Sequence, residues 1–318
     1  MSAKSTHRVE VVPVVLEKHP DADTLSVVRV YGYTVCVRTA DWEGRSLGAY
    51  IPPDSVCPDT PQFAFLGEHR RIKVRRLRGI VSMGLLVPAP EGTKLGDDVA
   101  EQLGVTHYEP PISFQMSGEA EAGPAGFHPV YDVEAWYRYK QLLRAGEEVV
   151  VTEKIHGSSG RWVFQDGRMW VGSRSQWWKP ADGNLWWKAL GCNPWIEEFC
   201  RAGAGVTLYG EVYGKVQSLR YGVPDSRLEV AVFDALAGSE WWPAAKLRAA
   251  LPGHCVPLLF TGAYDEAGVQ ALAEGSSTVP GARHLREGCV VKPVAERTDP
   301  EIGRVQLKIV GNAYLEKA

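Results

Sequence analysis

A lysine amine is a nucleophile only when neutral, and an ordinary pKa near 10.4 keeps it an ammonium at pH 7. Lys154 stands where such an amine could be recruited. The β-branched run Val149-Val150-Val151-Thr152 reads as a strand that delivers Glu153 and Lys154 into the turn Ile155-His156-Gly157-Ser158. A lysine at such an exit is open to a ligand, although an isolated Lys-x-x-Gly more often marks a strand end facing water. Bringing the amine near pH 7 takes about 3 pKa units, roughly 4 kcal/mol of selective destabilisation of the ammonium, which neighbouring cations and desolvation can supply.

What lifts this lysine above an isolated match is the series that follows it. Gly172-Ser173-Arg174, Thr207-Leu208-Tyr209-Gly210-Glu211-Val212, Val230-Ala231-Val232-Phe233-Asp234, Glu287-Gly288-Cys289-Val290-Val291-Lys292-Pro293 and Val305-Gln306-Leu307-Lys308 come in that order. Across about residues 130–318 the set resembles the nucleotidyltransferase motifs shared by ATP-dependent polynucleotide ligases and mRNA-capping guanylyltransferases. Lys154-Ile155-His156-Gly157, with histidine where DNA ligases carry aspartate, is most similar to the RNA ligase 2 group of nick-sealing RNA ligases.

That resemblance implies ATP as the nucleotide, Mg2+ or Mn2+ as cofactor, and RNA or an RNA-containing nicked duplex as partner. Lys154 would attack the α-phosphate of ATP and hold AMP as a phosphoramidate, with Lys292 and Lys308 as further catalytic cations. These two lysines and the metal are expected to supply the field that lowers Lys154. Glu153 would accept from the adenine amino group, Phe233 would stack on the adenine face, and Ile155 and Gly157 belong to the expected nucleotide site. Arg174, twenty residues after Lys154, would clamp a phosphate or ribose with its fork of donors. Glu211 and Glu287, at strand ends beside glycines, are expected metal ligands, together with His156. Two positions depart from the pattern. Ser159 stands where asparagine is usual, and Gln306 stands where the last motif usually offers the first of two lysines. The doubt they raise falls on the sealing step, not on self-adenylylation.

The elements that must position these residues follow from the rest of the chain. With 318 residues and 45% hydrophobic content it can bury a full core, and its length suggests two domains. We expect an α+β protein: an N-terminal OB-fold β-barrel at 1–108, a Pro/Gly/Ala-rich linker at 109–129, and an adenylyltransferase domain of antiparallel sheets flanked by helices at 130–318. Short strands broken by Gly, Pro and Asp suggest the barrel. His19-Pro20-Asp21-Ala22-Asp23-Thr24-Leu25 and the run Leu77 to Leu86 are similar to tRNA-binding OB modules. A barrel placed before such a domain resembles the bacterial RNA ligase 5 type. Within it, Arg70, Arg71, Lys73, Arg75, Arg76 and Arg78 put six cations in nine positions with no interleaved acid, more than an edge strand needs for solubility, and are expected to contact phosphates.

A helix is expected from Asp132, as cap, to Leu143, packed behind the Lys154 strand. Of the pairs Trp177-Trp178 and Trp186-Trp187, most rings should pack under a helix, with one member of each pair exposed. The six cysteines lack zinc or disulfide spacing and read as free thiols. With no apolar leader and no membrane-length run, the protein is expected to be cytosolic and monomeric. Two alternatives stand beside the ligase reading: a GTP-dependent guanylyltransferase, and a non-enzymatic RNA-binding protein with a decayed ligase domain. Both carboxylates and the lysines Lys292 and Lys308 argue against decay.

Overall fold

Strand register explains why three lysines distant in sequence meet. The computed structural model describes residues 7–108 and 118–316. In it, strand Glu148–Lys154 pairs antiparallel with Gly288–Pro293, which pairs antiparallel with Leu307–Val310. Val150 stands opposite Lys292, Val290 opposite Lys308, and Lys154 opposite Gly288. Side chains on one face recur every second residue, so Lys154, Lys292 and Lys308 share a face. A Cβ at Gly288 would overlap the Ile309 carbonyl, so the position facing Lys154 must be glycine. Edge strands Leu258–Ala263 and Glu134–Ala135 complete five strands, the latter pairing parallel, a departure from the purely antiparallel expectation.

The opposite face of this sheet buries Val149, Val151, Val291, Leu307 and Ile309 against Trp136, Tyr139 and Leu143. The expected 132–143 helix is therefore behind the Lys154 strand, but shorter than expected. Pairing of Glu134–Ala135 with Leu307 and Lys308 holds those residues extended, so the helix runs only over Trp136–Tyr139, continued by a 3-10 turn to Leu142. Asp132 caps nothing there.

A second, seven-stranded antiparallel sheet runs in the order Ala120–Glu121, Trp177–Trp178, Arg168–Ser173, Ser158–Gln165, Val206–Gly214, Leu228–Ala237, Glu240–Trp241. Helices Leu185–Cys192 and Trp195–Ala202 cover one face; the Asn184 side chain caps the first by accepting from the Trp186 and Trp187 N–H groups. Most of these tryptophans are packed as expected, but the expected exposed member of each pair is corrected here. Trp177 and Trp178 are adjacent strand residues, so they point to opposite faces, and both faces are covered. The Trp177 ring packs under the Arg161 guanidinium at 4.2 Å, while Trp178 stacks on Trp186 at 5.8 Å. Trp186 is also buried, and Trp187 is half-buried with its indole N–H donating to the Trp178 carbonyl at 2.8 Å. None is free to stack on a base.

The chain divides into two units, residues 1–111 with 315–318, and residues 112–314. Of the expected linker, 109–117 lies outside the described residues, and Ala120–Glu121 is built into the seven-stranded sheet as its edge. In the first unit, strands Glu10–Pro13, Leu47–Ile51 and Leu85–Pro88 form one sheet and Glu17–Lys18, Leu25–Val30 and Tyr33–Arg38 another, around two valine-rich cores. Strands Arg75–Leu77 and Ile80–Ser82 make a hairpin whose turn residues, Arg78 (φ 47°) and Gly79 (φ 86°), have the positive φ of a type I′ turn. Fully buried His19 ties its base: Nδ1 accepts from the Asp21 N–H, leaving Nε2 to donate to the Leu77 carbonyl at 3.2 Å. All six cysteines are free, and among the described residues no helix is long and apolar enough to cross a membrane.

Candidate active site

The face that carries the three lysines closes one side of a cavity of about 240 Å³ in the second unit. Glu153, Lys154, Ile155, Arg174, Glu211, Phe233, Lys292 and Lys308 all line it. Phe233 reaches it through a break in the ladder. Tyr209 pairs with Asp234 and Gly210 with Val232, which leaves Phe233 as the extra residue of a β-bulge. Gly157, His156 and Glu287 do not line the cavity but adjoin it through their partners.

Lys154 Nζ lies 2.7 Å from Glu287 Oε1. Burial alone would lower its pKa, but the Glu287 and Glu211 carboxylates outweigh burial and hold it above the ordinary value. The two lysines among the expected sources of a lowering field do not offset these carboxylates. Lys292 is part of the reason: its Nζ sits 3.2 Å from Asp234 Oδ2 and 3.5 Å from Glu296, so its charge is matched by acids rather than turned on Lys154. Lys308 itself is the group whose pKa falls. Burial and then Lys154 push its pKa down, and among the described residues it has no ion pair.

Glu211 is pushed up to about 8 by burial, with Glu287 adding to the rise against Lys154 and the Gly157 N–H. Its Oε1 accepts from that N–H at 3.1 Å, and a Cβ at Gly157 would overlap the Val212 carbonyl, so glycine is needed for this approach. Glu287 Oε2 is buried without a hydrogen bond among the described residues. One orphaned anionic oxygen and a neighbouring carboxylate whose charge burial opposes are a donor set that a divalent cation would satisfy. His156 does not belong to it. Nδ1 lies 3.3 Å from the Tyr314 hydroxyl and 3.7 Å from Glu287, Nε2 lies 3.3 Å from the Ser218 hydroxyl, and the described residues hold no group of three or more metal-binding side chains. Both ring nitrogens thus stand within reach of hydroxyls.

Glu153 is buried with three hydrogen bonds to its carboxylate, from the Ser277 hydroxyl to Oε1 and from the Thr278 N–H and hydroxyl to Oε2. A single lone pair on Oε1 remains for any ligand donor, so its main work is to hold the loop leading to Glu287. Arg174 is exposed and meets Asp132 at 3.0 Å. Sequence reasoning missed Tyr131, Asp234 and Arg304. Asp234 is fully buried and receives Lys292, Arg304 and the Tyr131 hydroxyl at once. The adjoining Phe233-Asp234 was the available signal, since a buried acid beside a cavity residue demands cationic partners.

In the first unit, Arg70 pairs with Asp59, Arg71 with Asp54 at 2.6 Å, and Arg76 with Glu316. Lys73, Arg75 and Arg78 are exposed, with no ion pair among the described residues. Half of the expected strip is thus neutralised internally.

An RNA ligase family model matches residues 147–310, and an OB-fold domain model matches residues 7–89. No curated protein sequence matches the chain. Similar solved structures include an RNA ligase of Naegleria gruberi, as a lysine-to-alanine variant with ATP and Mn (23% identity, 98% of each chain covered, TM-score 0.83). The same ligase with pyrophosphate is 24% identical over 98% of this chain and 99% of that one, with TM-score 0.83. A glutamate-to-alanine variant with AMP and Mn gives 24% over the same shares and TM-score 0.82.

Proposed function

Because the chain belongs to the RNA ligase family, we propose that it seals 3′-hydroxyl and 5′-phosphate RNA ends, at nicks in duplexes, through AMP carried on Lys154. The observation that carries this reading is Lys154 Nζ in the cavity wall, 2.7 Å from Glu287, with Glu211 and unpaired Lys308 lining or adjoining the same space. The Naegleria gruberi ligase with ATP and Mn, alike over the whole chain, supports ATP as the donor and a divalent metal as the cofactor. In the first step the Lys154 nitrogen bonds to the α-phosphorus as the bond to the bridging oxygen breaks and pyrophosphate leaves. AMP then passes to the 5′-phosphate, and attack by the 3′-hydroxyl expels it.

Glu211 and Glu287 would hold the metal, and drawing their charge onto a cation would remove the field that keeps Lys154 protonated. Lys308 would meet the phosphate charge, Phe233 would pack on the base, and Arg174, released from a solvent-exposed ion pair of little strength, would turn to phosphate or ribose. The free cysteines suit a cytosolic enzyme.

A ribonucleotide is expected at the 3′-hydroxyl end, with DNA tolerated on the 5′-phosphate side and as template. Loss of one positioning hydrogen bond from the 2′-hydroxyl should slow joining by up to ~100-fold and leave Lys154 labelling unchanged. Nicks that differ only in the terminal 3′ sugar decide this. Equal sealing of ribo and deoxy ends would mean a general DNA ligase.

Lys73, Arg75 and Arg78 are the cations of the strip left without an ion pair among the described residues. Replacing all three by alanine should lower the slope of log affinity against log salt by about 2, at ~0.7–0.9 per phosphate contact. An unchanged slope for a nicked RNA duplex would remove the hairpin from the binding surface.

A further inference from the structure

Gln306 stands where the last motif usually offers a lysine, and it is 3% exposed. Its Nε2 donates to the Asp132 carbonyl at 2.8 Å, and its Oε1 accepts from the Tyr131 hydroxyl at 2.7 Å. Both ends of the amide are therefore spent on residues 131 and 132. These residues are a wall of the cavity: Tyr131 and Asp132 line it, the Tyr131 ring lies 4.6 Å from that of Phe233, and the Asp132 carboxylate meets Arg174. The Tyr131 hydroxyl also reaches Asp234 Oδ2 at 2.6 Å, the acid that holds Lys292. A lysine at 306 would place a third cation beside nearly buried Lys292 and Arg304, with only Asp234 and Glu296 to balance all three. It would also leave the Tyr131 hydroxyl with Asp234 Oδ2 alone as acceptor, without the Gln306 oxygen beside it.

We propose that Gln306 is a positioning residue of the nucleotide site, fixing Tyr131 and Asp132 so that the aromatic wall and Arg174 are in place before the nucleotide arrives. This rests on the cavity being the nucleotide site. The amide is then a working part of the site, and restoring a lysine impairs it. Affinity is where the effect appears, because a wall set in advance spares the ligand the ordering of Tyr131.

Titration calorimetry of the full chain with ATP and magnesium tests this. Gln306→Leu and Tyr131→Phe should each weaken ATP binding about five- to tenfold, the scale of one hydrogen bond. The double variant should be weakened by less than the product of the two single losses, because the two groups share one bond while Gln306 also holds Asp132 and Tyr131 also reaches Asp234. Gln306→Lys should also bind more weakly than the wild type. The rate of AMP transfer to Lys154 at saturating ATP should stay within about threefold, a split that a loss of folded protein would not give. Variants with lowered unfolding midpoints but unchanged ATP affinity would overturn the proposal, as would a Gln306→Lys variant that binds ATP more tightly. Should Gln306→Leu not fold, Tyr131→Phe, which removes one oxygen, carries the test with the same expectation. A wild type that fails to bind ATP sinks the nucleotide site itself, whereas a binding wild type with equally binding variants sinks only the positioning role.

Discussion

Incubated with labelled ATP and magnesium or manganese, the protein will acquire one AMP per chain, stable to base and labile to acid, and Lys154→Ala and Lys154→Arg will acquire none. The arginine variant makes the result specific. Its guanidinium still offers a cation to Glu287 and Glu211, so the anionic pair is not left uncompensated, but it stays protonated and has no lone pair for phosphorus. A loss shared by both variants therefore reports the missing nucleophile rather than a disturbed charge cluster. We expect at least ~10⁴-fold slower transfer, about 5.5 kcal/mol in barrier. AMP mapped to another residue, or label retained by Lys154→Arg, would remove Lys154 from the reaction. Labelling by GTP in place of ATP would move the protein to the capping alternative.

Lys154 and its carboxylates were legible from local pattern: Lys154 ends its strand three residues before Gly157, Glu287 immediately precedes Gly288, and Glu211 follows Gly210, although inside strand Val206–Gly214 and not at its end as expected. Register then does the remaining work for Lys292 and Lys308: alternation on two neighbouring strands puts them on the Lys154 face, something residue spacing along one chain does not encode. Phe233 was chosen for its type, but the bulge that turns it into the cavity has no sequence mark. The charge balance was misread for a related reason. Lys292 looked like a free cation until Asp234, 58 residues earlier, proved to be its partner. The Trp177-Trp178 pair has no exposed member because both sheet faces are covered there, so neighbouring strand residues need not divide into one buried and one exposed.

Asp234→Ala should be among the most destabilising single changes in the second unit. Asp234 is fully buried, accepts from Lys292 at 3.2 Å and from the Tyr131 hydroxyl at 2.6 Å, and is paired with Arg304. Its removal leaves two nearly buried cations with only Glu296 between them, and breaking a buried pair from one side costs about 3–5 kcal/mol. Burial alone would raise the Asp234 pKa, but Lys292 and Arg304 outweigh it and hold the folded value below the ordinary 3.8. The sign follows from linkage: a depressed carboxylate contributes its full stability above its unfolded pKa and loses it as pH falls through the lower folded value. The wild type should thus keep the contribution at pH 5 to 8 and shed it only below about 3.8, while Asp234→Asn, which cannot titrate, should show a flatter acid limb. Urea unfolding followed by tryptophan fluorescence reads this in the right place, since every one of the eleven tryptophans except Trp42 lies in residues 112–314. A loss under about 1 kcal/mol for Asp234→Ala at pH 7 would mean that Lys292 and Arg304 find water or other acids when their partner is gone, and that the network beside the cavity is not closed.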